Sequence, residues 1–223
     1  MTALTTALTT VLTTALTTSP LKIVISRYKE DISWADGLSH ERAVIYHKSD
    51  TPCVSPHPVI SLPNVGREGH TYAYHILTQY DTLDDYTVFL QGYPFDHSPQ
   101  LETQLREIRD RIAEGTQPDF QYVSKKVLFS NLERCPYDIT LNMVPTYEKV
   151  FGSFGSFDSF ETKKKGHPFV FGAGAQFVVS RAAIQSRPRS FYENLCRVLD
   201  YDVNPIEGFS VERFWQMIFT HSE

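Results

Sequence analysis

The chain predicts an α/β domain built on a mixed, mostly parallel sheet flanked by helices. Three observations point there. Short β-branched apolar runs of the kind buried strands need alternate with segments of helical periodicity. The 223 residues, 41% of them hydrophobic, suit one such domain. No Pro/Gly/Ser-rich linker divides the chain, and no repeat occurs after Pro20.

The elements follow in order. Leu21–Tyr28 is the first strand, after which Asp31 is placed to cap a short helix carrying Trp34 and Leu38. Ala43–His47 is a second strand, and a Pro-rich stretch runs from Pro52 to Pro63. Asn64-Val65-Gly66-Arg67-Glu68 then opens a helix with Tyr72, Ile76 and Tyr80 at i, i+4 and i+8. Thr87–Gly92 is the third clear strand and stops at Tyr93-Pro94-Phe95-Asp96-His97-Ser98-Pro99. Leu101, Leu105, Ile108 and Ile112 share one face of the next helix. Lys125–Phe129 is a candidate strand, and a Gly/Ser/Phe-rich loop at Gly152–Phe157 leads to Lys163-Lys164-Lys165-Gly166-His167. Phe169–Ser180 reads as sheet interrupted at Gly172-Ala173-Gly174, followed by helices at Ser190–Tyr201 and Val211–Thr220.

The first twenty residues stand apart. The tetrapeptide Ala/Val-Leu-Thr-Thr occurs four times between Ala3 and Thr18, and no charge precedes Lys22. A secretory signal wants a basic start and a continuous apolar stretch, and a span wants about 20 apolar residues. Half of this repeat is threonine, so the expectation is a disordered leader at 1–20, no membrane span, and a domain over 21–223.

Charge and cysteine usage exclude some classes. Lys plus Arg number 21 against 26 Asp plus Glu, a formal net charge of −5, so no broad basic field exists to hold nucleic acid. The three cysteines, Cys53, Cys135 and Cys196, form no C-x-x-C pair, which argues against a disulfide framework or a zinc knuckle. With no N-x-S/T sequon, the expected compartment is reducing and cytoplasmic.

Chemistry-bearing residues cluster where predicted strands end, the edge at which open α/β sheets bind ligands. Arg27 and Asp31 follow the first strand; either they contact a nucleotide, or Asp31 caps a helix and Arg27 makes an ion pair. Asn64, Gly66 and Arg67 open a helix whose free N–H groups attract an anion. Glu68, Tyr72 and His75 share one face of it, as a site or as packed core. Gln91, Asp96 and His97 follow the buried strand, although Asp and His are also ordinary loop residues. Gly172 to Gln176 either admits a close approach or forms a β-bulge. Glu207, Glu212 and Arg213 precede or lie on the last helix, where a carboxylate is either a general base or a surface ion-pair partner.

Taken together, Ile25-Ser26-Arg27-Tyr28-x-Glu30-Asp31-x-x-Trp34, Asn64-x-Gly66-Arg67-Glu68-x-x-x-Tyr72-x-Tyr74-His75-Ile76, Thr87-x-Phe89-Leu90-Gln91-Gly92, Gly174-Ala175-Gln176-Phe177-x-Val179-Ser180-Arg181 and Glu212-Arg213-x-Trp215 resemble the domain of unknown function family 3431, from Leu21 to Phe219. That family is similar in outline to GT-A-type nucleotide-sugar glycosyltransferases. The resemblance implies a nucleotide sugar held by Arg27, Asp31, Asn64, Gly66, Arg67 and Gln91, with Gly174 and Gln176 lining the cleft. It implies Mn²⁺ or Mg²⁺ near Asp96 and His97, a glycan or other hydroxyl acceptor, and Glu212 as base, with Glu68 and His75 as further catalytic candidates. The D-x-D of such enzymes stands here only at Asp200-Tyr201-Asp202, not after the central strand. Two other functions fit the same residues. One is a metal-assisted phosphoester or glycan hydrolase using Glu68, His75, Asp96 and His97; the other is a non-catalytic carbohydrate- or partner-binding module that uses the abundant aromatics.

Overall fold

The computed structural model describes residues 20–38, 42–135, 138, 140–154, 166 and 168–220. Residues 1–19 of the predicted leader, the second half of the Gly152–Phe157 loop, Lys163 to Lys165 and His167 lie outside them.

Six strands form one mixed sheet in the order β3-β2-β1-β4-β8-β5. They are β1 (Leu21–Arg27), β2 (Arg42–His47), β3 (Val59–Ser61), β4 (Tyr86–Gln91), β5 (Phe120–Tyr122) and β8 (Phe177–Ser180). β1 is parallel to β2 and β4, and β2 to β3. β8 runs antiparallel between β4 and β5. β6 (Val127–Ser130) and β7 (Phe169–Gly172) make a separate antiparallel pair. The predicted Lys125–Phe129 strand therefore belongs to this second sheet. The single sheet run expected over Phe169–Ser180 is two strands in two sheets, divided at its glycines.

Six α-helices are described: α1 (Arg67–Gln79), α2 (Leu101–Ala113), α3 (Val144–Phe151), α4 (Arg181–Gln185), α5 (Arg189–Leu199) and α6 (Ile206–Phe219). The helix expected around Trp34 is one 3-10 turn, Ser33–Gly37. Asp31 does not cap it as an N-cap. Its carboxylate accepts the Ser33 N–H at 2.9 Å in a local turn, and Ile32 holds the N-cap position. The last helix starts at Ile206, five residues before the expected Val211, because Pro205 supplies an extended N-cap with φ −60°.

Period-two alternation along β1 and β4 sorts the core. Val24, Phe89 and Phe177 face α1, α5 and α6, where Tyr72, Ile76, Leu195, Phe214 and Trp215 pack on them. Ile23, Ile25, Val88, Leu90 and Val178 face Leu101, Leu105 and Ile108 of α2. With both faces covered, the central strands carry nearly continuous apolar sequence, which is why they were visible as runs. Tyr72, Phe89, Phe177 and Trp215 are fully buried and close-packed, with Phe177 and Trp215 ring centroids 5.1 Å apart. Each such ring contributes about 2–3 kcal/mol through burial. None of the three cysteines is bonded to another. Among the described residues no helix is long and apolar enough to cross a membrane.

Candidate functional site at the carboxyl edge of the sheet

Chain direction changes sides between β1 and β4: β2 and β3 lie on one side of β1, and the chain returns through α1 to β4 on the other. Such a switch point opens a crevice outside the strand ends. The ends of β1, β2 and β4, the start of α1 and the turn entering β8 all lie along this edge.

On the β1 side the polar groups brace one another. Arg27 Nε donates to Glu30 O at 2.9 Å and its Nη1 to His47 Nδ1 at 2.9 Å. His47 Nε2 in turn lies 2.6 Å from Thr51 O. Asp31 is exposed, and its two bonds from Ser33 hold its carboxyl below the usual range. Glu30, not singled out in the sequence, accepts the Tyr28 N–H at 2.6 Å and packs on Gly92, where a Cβ would stand 2.6 Å from its Oε2. Gln91 ends β4 opposite Ser26, and Ser26 Oγ donates to Thr71 Oγ1 of α1 at 2.9 Å.

The start of α1 is built differently from the open anion cradle its sequence suggests. Gly66 and Arg67 both have left-handed backbone, φ 62° and 50°. Their N–H groups donate to Asp202 O at 2.8 Å and Val203 O at 3.3 Å in the loop between α5 and α6. A Cβ at Gly66 would meet Leu199 O at 2.7 Å, so only glycine lets that loop close on the helix. The half-buried Asn64 lies in the loop just before. The Arg67 guanidinium stacks 4.3 Å above the Phe209 ring and lies 3.8 Å from Glu68. Lys48, another residue the sequence reading missed, is buried and donates to Val65 O at 2.6 Å and, by a very short bond, to Arg67 O. Burial pushes its ammonium down to about 8. Its only sequence signal is its position directly after a strand end.

Across the crevice the glycine segment is approached closely by side chains of the protein itself. Gly172 lies under Tyr122, whose Cδ1 would be 2.5 Å from a Cβ there. Gly174, φ 80°, carries the His97 imidazole against its Cα, with Cδ2 only 2.2 Å from an added Cβ. The Gly174 N–H donates to Glu212 Oε1 at 3.0 Å, and the buried Gln176 donates through Nε2 to Pro94 O at 3.0 Å. The loop carrying His97 is fixed further by the bond from Lys125 N to His97 O at 2.8 Å.

Glu68 and Tyr72 lie one turn apart on α1, and the Tyr72 ring packs 5.8 Å from Trp215 on α6, one turn beyond Glu212. The Glu68 and Glu212 side chains are 10% and 14% exposed, and Arg213 lies 3.6 Å behind Glu212. Burial raises the Glu68 carboxyl, with Glu212 adding to the effect and Arg67 opposing it. The Tyr72 phenol is fully buried without a hydrogen-bond partner and is raised by burial and by both carboxylates. The structure thus gathers Glu68, His97, Gly174, Gln176 and Glu212 along one edge. His75 is elsewhere: it lies in the core, 2.9 Å from Tyr46 Oη and edge-on to Phe89, and burial pushes it down to about 3. Glu207 is a buried ion-pair partner, accepting from Lys149 and Tyr201 at 2.5 Å each.

Asp96 is exposed and His97 is turned onto Gly174. Among the described residues no three His, Cys, Asp or Glu side chains are gathered as a cation site requires, so these two do not by themselves form a cage for Mn²⁺ or Mg²⁺. A cavity of about 610 Å³ beside β6 is lined by Phe129, Ser130, Asn131, Glu133, Arg134, Cys135 and Pro168, and Cys135 Sγ accepts from Arg213 Nε at 2.9 Å.

A search of curated proteins finds no match to the chain. Residues 23–223 match the model of the family described as "Protein of unknown function (DUF3431)", and the chain belongs to that family.

Proposed function

We propose that the protein transfers a sugar from a nucleotide-diphosphate donor to a hydroxyl acceptor, in the manner of the GT-A enzymes its sequence resembles. The observation that carries this reading is the bond from Gly174 N to Glu212 Oε1, which joins a glycine turn at the mouth of β8 to an acid on the last helix. Both stand at the switch-point crevice, where open α/β sheets bind nucleotides.

In this reading Glu212 accepts the proton of the attacking hydroxyl while the acceptor oxygen bonds to the anomeric carbon and the bond to the diphosphate breaks. The Gly174 N–H fixes Oε1, and Oε2, with Arg213 Nη1 3.6 Å away, is the oxygen that would take the acceptor proton. Burial raises the Glu68 carboxyl, so it gives up a proton less readily than an ordinary carboxyl, and it serves as the second acid of the site. His97, held on Gly174, is placed to donate to a leaving phosphate oxygen.

The test is isothermal titration with common nucleotide sugars, with and without Mn²⁺, followed by detection of released nucleoside diphosphate in the presence of glycan acceptors. Glu212→Gln is expected to lower kcat by about 10²-fold or more. Absence of binding across the panel abandons the proposal. Release of free sugar irrespective of acceptor replaces it with a hydrolase.

A further inference from the structure

Three aromatic rings pack on one another where β4 ends. The Trp34 and Phe95 ring centroids lie 5.7 Å apart at 84°, and those of Phe95 and Tyr93 lie 5.4 Å apart at 67°. Trp34 and Phe95 are half-buried and rest on the core that faces α2. Tyr93 is 48% exposed and touches no other described ring. The turn that carries it is fixed, since Pro94 O accepts the Ser98 N–H at 2.8 Å and Gln176 Nε2 at 3.0 Å, and Trp34 Nε1 donates to Gly92 O at 2.9 Å. A ring held open on a fixed turn loses little freedom when a ligand settles on it. Edge-to-face packing at these distances fills the space between the rings, so they form no cage for a cation and offer only their outward faces for stacking.

The polar surroundings select the ligand. Arg27, the guanidinium of this strand end, is taken up by Glu30 O and His47 Nδ1, and Lys29 lies over the Tyr28 ring at 4.9 Å. The groups that remain accept hydrogen bonds: the Glu30 carboxylate, which lies against Gly92, and Asp96, exposed and next to Phe95 in the chain. A pyranose offers an apolar C–H face ringed by hydroxyl donors, whereas a nucleotide would bring phosphate toward two carboxylates. A protein partner is too large, because three rings, two of them half-buried, expose far less than the roughly 800 Å² per partner of a stable interface. We propose that Tyr93, backed by Phe95 and Trp34, is a stacking platform for a pyranose ring of a neutral glycan, whose hydroxyls donate to Glu30 and Asp96. The same loop seats His97 on Gly174, so a glycan held here lies along the edge that carries Glu212. As placement of an acceptor this rests on the transferase reading; as binding it does not.

The experiment is titration of the full chain with neutral cello-, xylo-, manno- and chito-oligosaccharides, and with UMP and AMP, read by calorimetry and by intrinsic fluorescence. Of the two tryptophans Trp215 is fully buried, so an emission change on binding reports Trp34. At least one oligosaccharide is expected to bind and to shift that emission. Tyr93→Ala should weaken its binding by about tenfold or more, while Tyr93→Phe, which keeps the ring, should stay within about threefold of wild type. Both variants should melt like wild type, because this ring stands outside the core, which keeps loss of binding distinct from loss of fold. No binding by any oligosaccharide, or binding by Tyr93→Ala equal to wild type, overturns the platform. Binding of UMP or AMP alone, lost in Tyr93→Ala, makes the stacked ligand a nucleobase and overturns the glycan. Oligosaccharide binding without turnover of any nucleotide sugar removes the transferase reading and leaves the platform standing. Turnover onto an oligosaccharide that Tyr93→Ala binds as well as wild type removes the platform and leaves the transferase.

Discussion

Replacing Gly174 by alanine perturbs the site through two separable costs. The first is backbone: φ is 80°, a left-handed value that costs a side-chain-bearing residue about 1–2 kcal/mol. The second is contact: the new methyl would lie 2.2 Å from His97 Cδ2 and 2.6 Å from Cγ, and overpacking of this kind costs about 1–3 kcal/mol. The imidazole cannot swing away cheaply, because its loop is tied down by the Gln176 and Lys125 bonds. The sum is a loss of about 2–5 kcal/mol. Gly115 supplies the control, since its φ is 69° and nothing stands within 4 Å of an added Cβ, so Gly115→Ala isolates the backbone cost. Urea denaturation with linear extrapolation measures each variant. His97→Ala combined with Gly174→Ala should recover the contact portion, giving a coupling of about 1–3 kcal/mol in a double-mutant cycle. If Gly174→Ala costs no more than Gly115→Ala, or if the His97 truncation rescues nothing, the imidazole is not seated on Gly174.

Two further outcomes follow from buried charge. His70 and His75 are held down to about 4 and about 3, chiefly by burial, so both are neutral in the fold while the unfolded chain protonates near its ordinary value of about 6.5. Their contribution is therefore complete above that value and falls as pH drops toward the folded ones, by about 1.4 kcal/mol per pH unit for each ring. Urea midpoints measured from neutral pH down to about pH 4 check this, and a flat profile contradicts it. Lys48→Met removes two bonds from an ammonium to the carbonyls of Val65 and Arg67, each worth about 1.5–3 kcal/mol, so the loss should exceed the relief of burying the ammonium. A midpoint equal to wild type would show that Lys48 does not hold the start of α1.

The strands legible in sequence were those whose residues settle the matter locally. β1, β2 and β4 are buried on both faces, so their apolar runs carry the signal unaided. β3 and β5 are three residues each, without a fully buried position, and owe their existence to neighbours already in place. The site divides in the same way. Gly174 was readable because glycine inside a strand-like run is unusual, whereas an acid on an amphipathic helix is ordinary and Glu212 stood out as the base only through the resemblance; the bond joining them spans 38 positions and no local pattern encodes it. Lys48 and Glu30 escaped notice because isolated charged residues after strands are common. Burial and backbone partners, both supplied by distant segments, give them their roles.

The cations of this edge also account for how an acidic chain can carry such a crevice. Arg27 is spent on Glu30 O and His47, Lys48 on the loop before α1, Arg67 on Phe209, and Arg213 on Cys135 and Phe209 O. Positive groups that grip carbonyls and rings hold the backbone in place, and the side chains left facing inward are carboxylates, a phenol and an imidazole. Under the proposed transferase reading, such a wall suits the acceptor half of a transfer site better than the donor half. For the transferase reading, the donor diphosphate must then draw its compensating charge from His97 with the exposed Lys29 and Lys125 of this edge, or from a divalent cation carried in with the nucleotide. Donor affinity measured with and without Mn²⁺ separates the two. If His97 compensates, His97→Ala weakens donor binding equally in both conditions; if the cation does, affinity depends on Mn²⁺ and the loss on truncation is small without it.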